Sequence, residues 1–166
     1  MPHPCRAAVV SLFCLALLLP CSAPALAEAE AEIGLGASVT EDGETTAVAA
    51  ASWLPTLRDL SNATLRAELG GVYVRGRDDT PGQDLADDVL VAFAGLRYER
   101  TDNGLVLGAG IGAQAGETEA LSGGPQFVTS LGWRWPRFTL LARHISNAGL
   151  DEPNGGETML LGHWRF

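Results

Sequence analysis

Apolar and polar residues alternate along most of the chain. In the stretch NATLRAELGGVYV, Leu65, Ala67 and Leu69 fall on one parity, whereas Arg66 and Glu68 fall on the other. A period of two residues is typical of β-strands and not of helices. The pattern predicts eight strands, at about 31–39, 45–54, 63–75, 88–99, 104–114, 125–135, 137–146 and 157–166.

The charged parity favours a barrel in lipid over a soluble sandwich. A sandwich also alternates, but its polar face meets bulk water and does not need Arg and Glu interleaved with glycine. A small lipid-embedded barrel places apolar side chains outward and fills its lumen with paired polar ones. We therefore predict an all-β fold, an eight-stranded antiparallel transmembrane β-barrel of the outer membrane. The expected lumen ion pairs involve Arg66, Glu68, Arg97, Glu99, Arg134, Arg143 and Arg165.

Aromatic residues and the chain end agree with this fold. Aromatic side chains fall on the apolar parity near segment ends, where interfacial girdles form; they are Tyr73, Tyr98, Trp133, Trp135 and Trp164. The final alternating strand ends on Phe166, which resembles the terminal signature of bacterial outer-membrane barrels. This strand is the expected contact with the barrel-assembly machinery.

The first 27 residues have the three-part pattern of a secretory signal peptide, with a basic Arg6, an apolar run over 7–20 and a small-residue ending. We expect cleavage before Glu28, which leaves one barrel domain over 28–166. All three cysteines lie in the leader. The mature chain therefore excludes disulfides, cysteine metal sites and cysteine nucleophiles.

The charge excludes one class of partner. The chain has 11 basic residues, all of them Arg, against 20 acidic ones, and a formal net charge of −9. This balance argues against nucleic acid as a partner. An acidic cluster lies between strands three and four, but its spacing is not that of an EF-hand, so we expect a solvated loop. Its members are Asp78, Asp79, Asp84, Asp87 and Asp88.

The lengths of the connections predict an orientation. Connections after strands four and six are short, those after strands three, five and seven are long, and the one after strand two, PTLRDLSN, is an exception. Outer-membrane barrels keep short turns in the periplasm and long loops outside. Strand seven is therefore expected to run outward, so that HISNAGLDEPNGGE, at 144–157, lies at the cell-surface end.

His144 and Ser146 are candidate catalytic residues within this stretch. Side chains two apart in a strand leave the same face, separated by roughly 6.6 Å at about 3.3 Å per residue. By parity this face also carries Phe138 and Leu140 and points toward lipid. A polar pair in hydrocarbon costs several kcal/mol, which favours a functional role. The alternative is a rim pair that only hydrogen-bonds lipid headgroups.

The same stretch resembles the signature of the PagL family, the outer-membrane lipid A 3-O-deacylases. Members carry a His-x-Ser-Asn stretch, a Pro-Asn pair and a nearby acidic residue on the last two strands of an eight-stranded barrel. His144, Ser146, Asn147, Pro153 and Asn154 match that pattern. The resemblance implies an esterase that removes an ester-linked 3-hydroxyacyl chain from lipid A. Lipopolysaccharide and outer-membrane lipids are then its partners, and a homodimer is one of the oligomeric states left open.

The resemblance also implies roles for individual residues. Ser146 would be the nucleophile, and His144 the general base that later protonates the leaving hydroxyl. Asn147 and the backbone N–H groups around Gly149 would stabilise the oxyanion, and Asn154 would shape the loop. No metal or cofactor is implied.

The acidic residue departs from the family pattern by one position. Where the family has its acid, this chain has Thr158, and Glu157 stands one residue early. In a regular strand such a shift moves a side chain to the opposite face. We expect Glu157 to complete the triad through a bulge or through the preceding glycine pair, with Asp151 and Glu152 as loop substitutes.

The remaining features fit the barrel without adding chemistry. The stretch GAGIG at 108–112 is interpreted as lumen-side glycines and not as a dinucleotide loop, because no helix follows it. His163 is expected in the lumen with a structural role. Ala109 and Ala142 predict a groove for an acyl chain. The alternative function is a non-catalytic outer-membrane barrel with a structural or adhesive role.

Overall fold

The computed structural model describes residues 28–77 and 83–166 and shows one closed barrel of eight antiparallel strands. The predicted leader lies outside the described residues. In chain order the strands are β1 (Ala29–Thr40), β2 (Thr45–Asp59), β3 (Ala63–Val74), β4 (Val89–Arg100), β5 (Leu105–Ala115), β6 (Gln126–Arg134), β7 (Phe138–Ser146) and β8 (Glu157–Arg165). Each strand pairs with the next, and β8 pairs with β1. The predicted count and order of strands are confirmed.

Strand β2 is longer than predicted. It continues through Pro55 to Asp59, with a register shift between Thr56 and Arg58. A bulge of this kind absorbs an extra residue and lets pairing resume beyond a proline. The prediction of a long connection after strand two is therefore wrong, because only residues 60–62 link β2 to β3.

The two ends of the barrel differ. At one end, called the turn end, the connections are 60–62, 101–104 and 135–137, and both the start of β1 and the end of β8 lie there. At the other, called the loop end, the connections are 41–44, 75–88, 116–125 and 147–156. Within the described residues no helix is long and apolar enough to cross a membrane.

The lumen near the turn end holds the predicted ion pairs. Glu32 is fully buried and accepts hydrogen bonds from Arg97 at 2.7 Å, Arg165 at 2.7 Å and Thr139 at 3.0 Å. Glu99 lies within 3.2 Å of Arg66, Arg97, Arg134 and Arg165. Toward the loop end the lumen is mixed, with buried Val72, Val74, Val89, Val91, Ile145 and Met159 beside the polar Ser38, Gln126 and Glu157.

The outward face is apolar, so the usual arrangement of a soluble protein is inverted. Large hydrophobic side chains stand exposed on every strand, among them Leu35 at 70% and Leu131 at 56%. Most exposed aromatic residues lie near the turn end, namely Trp53, Trp133, Trp135, Phe138, Trp164 and Phe166, whereas Tyr73 and Phe127 lie near the loop end. An apolar exterior around a polar lumen is typical of barrels that cross a lipid bilayer.

Candidate active site

His144 and Ser146 lie on the outward face of β7, next to the loop end. Along β7 the residues Thr139, Leu141 and Arg143 are buried in the lumen, whereas the alternate positions face outward. His144 and Ser146 continue the outward series and are half-buried. The predicted face of the pair is therefore confirmed, and the strand period is its cause.

Gly156, the last residue of the loop before β8, lies between the two side chains. A Cβ atom built on Gly156 would lie 2.8 Å from Cε1 of His144 and 3.0 Å from Cβ of Ser146. The imidazole and the serine side chain therefore border one small space, which only a residue without a side chain leaves open. The backbone of Gly156 also has a φ of 77°, a conformation that glycine adopts without steric cost.

The ring of His144 is held from the neighbouring strand. His144 faces Thr158 directly in the β7–β8 register, and its Nδ1 lies 2.9 Å from the Thr158 hydroxyl oxygen. Nδ1 lies at Thr158 and Cε1 lies toward Gly156, which leaves Nε2 as the ring nitrogen available to act as a base. In serine hydrolases one ring nitrogen of the base is held by an orienting group, and the other takes the proton of the nucleophile.

Glu157 lies on the opposite face of β8, and the prediction that it approaches His144 is wrong. Its carboxylate is fully buried in the lumen and accepts hydrogen bonds from Arg77 at 2.7 and 3.0 Å. The β8 strand pairs regularly with β7 from Glu157 onward, so no bulge re-aims the side chain. A one-residue offset in a regular strand changes the face, and here it does so.

Arg77 comes from the connection between β3 and β4. Besides Glu157 it donates to the Ser38 hydroxyl and the Glu44 carbonyl, both at 3.2 Å. This pair, here called the Arg77–Glu157 clasp, ties the beginning of β8 to two loops. The clasp gives Glu157 a structural partner in place of a catalytic one.

The two asparagines of the motif stabilise the loop between β7 and β8. The Nδ2 group of Asn147 donates to the Ser122 carbonyl at 3.1 Å and to the Asp151 carbonyl at 2.5 Å. Asn154 donates to the same Ser122 carbonyl at 2.7 Å. The loop is thereby fixed to the neighbouring connection, as predicted for Asn154.

Two of the predicted oxyanion donors make hydrogen bonds within this loop. Both protons of the Asn147 amide have acceptors, and the Gly149 N–H donates to Oδ1 of Asn147 at 2.9 Å. Neither group is free to donate to an oxyanion in this arrangement. In this arrangement the Asn147 amide and the Gly149 N–H stabilise the loop, and their oxyanion role stays a prediction.

The other acidic candidates do not orient the imidazole. Asp151 and Glu152 are exposed on the loop, and within 28–77 and 83–166 the Thr158 hydroxyl is the side-chain group hydrogen-bonded to His144. Among those residues no group of three or more His, Cys, Asp or Glu is placed to hold a metal ion.

The acidic connection between β3 and β4 is described in part, because Asp78 and Asp79 lie outside the described residues. Asp88 accepts hydrogen bonds from the Gly76 N–H at 2.8 Å and from the Tyr73 hydroxyl at 2.7 Å. The hydrogen bond from Gly76 contributes most, and that from Tyr73 next, to holding the pKa of Asp88 below its usual value. This carboxylate therefore shapes the loop.

A shallow groove begins at His144 and runs over the outer surface of β6, β7 and β8. It has a volume of about 260 Å³ and is lined by Thr129, Leu131, Ala142, His144 and Thr158, with the backbone of Ser130 and Arg143 between them. The small side chain of Ala142 contributes to it as predicted. Ala109 faces Thr129 in register one strand further on and is not part of the lining.

Sequence reasoning missed two residues at this site. Thr158 carried a usable signal, because its parity already placed it on the face of His144. Arg77 carried none, since it belongs to an irregular connection whose side-chain directions no period fixes.

The chain matches no family model and no curated protein. Its fold is similar to that of solved eight-stranded barrels. The crystal structure of the outer membrane enzyme PagL aligns with a TM-score of 0.54 at 21% identity, over 82% of this chain and 98% of that one. The outer membrane protein Ail of Yersinia pestis, in a phospholipid bilayer nanodisc, aligns with a TM-score of 0.50 at 15% identity, over 84% of this chain and 100% of that one. At these identities the likeness shows that the chain has the fold of small outer-membrane barrels.

Proposed function

We propose that this chain is an outer-membrane serine esterase that releases an ester-linked 3-hydroxyacyl chain from the 3-O position of lipid A. The observation that carries the proposal is the placement of His144 and Ser146 around Gly156, on the apolar face of the barrel. An esterase for a membrane lipid needs its nucleophile on the surface that the lipid contacts.

The location of the pair along the barrel fits the outer leaflet, where lipid A resides. Long loops of outer-membrane barrels face outside and short turns face the periplasm. Ser146 is the last residue of β7, directly before the loop between β7 and β8, and the groove begins at His144. An acyl chain in that groove would bring its ester carbonyl close to Ser146.

The reaction then follows from the two side chains. His144 takes the hydroxyl proton of Ser146 while Oγ of Ser146 attacks the ester carbonyl, and a tetrahedral intermediate forms. Collapse of the intermediate breaks the bond to the sugar oxygen, which receives the proton from His144. A water molecule, deprotonated by the same imidazole, next hydrolyses the acyl-serine and restores the free enzyme.

The test is mass spectrometry of lipid A from a host whose own lipid A carries the 3-O chain. Cells that produce the wild-type chain should yield a species lacking one hydroxyacyl group. Cells that produce Ser146→Ala should not, although the variant should show the same heat-modifiable migration of a folded barrel. Unmodified lipid A in both strains, with the folded wild type present in the outer membrane, would refute the proposal.

A second candidate is a non-catalytic outer-membrane barrel with a structural or adhesive role. This role is favoured because the side chain that is hydrogen-bonded to His144 carries a hydroxyl group and not a carboxylate. The likeness to Ail covers about the same share of this chain as the likeness to PagL, 84% against 82%, so the fold alone does not decide between the two roles. The same mass measurement separates the two.

We also propose that residues 1–27 are removed on export and that the strand ending at Phe166 is recognised by the barrel-assembly machinery. The intact mass of protein purified from outer membranes should correspond to a chain that begins at Glu28. Deletion of Phe166 should lower the amount of folded barrel without changing the specific activity of what folds.

A further inference from the structure

The side chain that orients His144 is a threonine hydroxyl. Thr158 faces His144 directly across the β7–β8 ladder, and the Nδ1 to Oγ1 distance is 2.9 Å. We infer that Thr158 is the positioning residue of the site, and that the esterase works with a Ser-His-Thr relay instead of a carboxylate triad. The inference rests on the proposed function of the His144–Ser146 pair.

The carboxylates nearest in sequence are unable to take this role. Glu157 is bound by Arg77 in the lumen, on the other side of the barrel wall. Asp151 is exposed on the loop, and its backbone carbonyl accepts a hydrogen bond from Asn147. The hydroxyl of Thr158 is therefore the polar group placed at Nδ1 of the imidazole.

A hydroxyl at this position has a chemical consequence. Threonine can accept a hydrogen bond from Nδ1–H or donate one to an unprotonated Nδ1, whereas an ionised carboxylate can only accept. Only the tautomer with hydrogen on Nδ1 leaves Nε2 free to take the proton of Ser146. Thr158 thus fixes the direction of the ring but fixes the tautomer incompletely, and it supplies no charge to stabilise the imidazolium form.

Two substitutions of Thr158 separate the effect of its hydroxyl group on the rate from the effect of its side-chain volume. Thr158→Val keeps the branched volume and removes the hydrogen bond, so kcat should fall about 10- to 100-fold, below the 10⁴-fold loss known when a triad partner imposes the wrong tautomer. KM should change by less than about threefold, because the groove keeps its shape. Thr158→Ser keeps the hydroxyl and should restore kcat to within about threefold of the wild type.

Thr45→Val is the matched control. Thr45 is exposed on β2 and lies in the same row of the barrel wall, since Val39 pairs with Thr45 on one side and with Thr158 on the other. The substitution makes the same chemical change on the outward face, away from His144. It should leave kcat and KM at wild-type values.

The hydrogen bond itself is measurable without turnover. After removal of the leader the chain has two histidines, His144 and His163, so ¹⁵N labelling of histidine in detergent micelles gives two sets of ring resonances. Thr158→Val should shift the tautomer populations of His144 and leave those of His163 unchanged. Thr158→Glu should move His144 fully to the tautomer with hydrogen on Nδ1 and raise kcat at least several-fold.

The possible outcomes distinguish the inference from the proposed function. If wild type and Ser146→Ala both leave the ester intact, the esterase assignment fails, whatever the ring resonances report. If the wild type is active and Thr158→Val has the same kcat and the same His144 resonances, Thr158 is not the positioning residue. Failure of Thr158→Ser to restore kcat, in a folded barrel, would also overturn the inference.

Discussion

Glu157 and Thr158 are consecutive residues of β8, and the barrel wall separates them. Glu157 points into the lumen, where Arg77 binds both of its carboxylate oxygens. Thr158 points outward and holds the imidazole of His144. Successive side chains of a strand point to opposite faces. A shift of one position along the chain therefore decides whether a residue joins the lumen ion pairs or lies beside His144. The motif resemblance alone does not contain that information.

The two faces also differ in what their polar groups need. A lumen charge without a partner is costly, because it has been removed from water, and the lumen accordingly contains matched Arg and Glu side chains. The outward site contains no ionised side-chain partner among the described residues, only the hydroxyls of Ser146 and Thr158 beside the imidazole. Neutral groups of this kind tolerate the lipid interface at lower cost than charges.

The largest contrast is expected between the two histidines. His144→Ala should reduce deacylation by several orders of magnitude, since loss of a serine hydrolase base costs on the order of 10⁶ in kcat. His163→Ala removes a buried lumen side chain instead and should leave the rate within about threefold, although it creates a cavity and lowers thermal stability. Steady-state rates in detergent, together with the temperature of heat modification, measure both. Similar rates for the two variants would break the assignment of faces.

A smaller effect is expected at Gly156. Gly156→Ala places a methyl group between His144 and Ser146, and a displacement of reacting groups by about 1 Å can cost on the order of 100-fold in rate. Gly43→Ala is the control, because Gly43 has a φ of 91° but a Cβ built there meets no atom within 4 Å. Both variants carry the backbone strain of a left-handed conformation, and only the first should lose activity. Equal losses would mean that strain and not the filled space is responsible.

The smallest effect on the rate is expected at Glu157. Glu157→Gln keeps the volume and one acceptor oxygen but removes the charge opposite Arg77, so the clasp weakens and the unfolding temperature should fall. Deacylation should stay within about threefold of the wild type. A loss near 10⁴, as reported for triad carboxylates, would show that the lumen-facing carboxylate acts on His144 after all. Comparison of melting and turnover for the same preparation separates these cases.

The sequence predicted the eight strands and the outward direction of His144 and Ser146, but not the group that holds His144. Alternation placed all eight strands and the outward direction of His144 and Ser146, because burial on one face repeats every second residue. It failed at β2, where a bulge after Pro55 interrupts the period while the pairing continues. The period of two also placed the Glu157 side chain in the lumen. We expected a bulge at the glycine pair to turn it outward, but β8 contains no such bulge, so the predicted partner of His144 was wrong.

What remained beyond prediction depends on contacts between distant loops. Arg77 reaches Glu157 across 80 positions of sequence, and Asn147 reaches the Ser122 carbonyl across 25. Side chains on irregular connections follow no period, so neither partner could be assigned from the chain alone. The part that Asn147 takes in the structure of the loop follows from such a contact.

The most direct test of the outward catalytic pair is covalent labelling of the folded barrel. A long-chain alkyl fluorophosphonate, which reacts with serines that an adjacent base activates, should be incubated with protein in detergent micelles and the adduct located by peptide mass spectrometry. The account predicts one adduct, on Ser146, that is absent from His144→Ala and from heat-unfolded wild type. A folded wild-type barrel that remains unlabelled at Ser146, or whose labelling does not depend on His144, would contradict it.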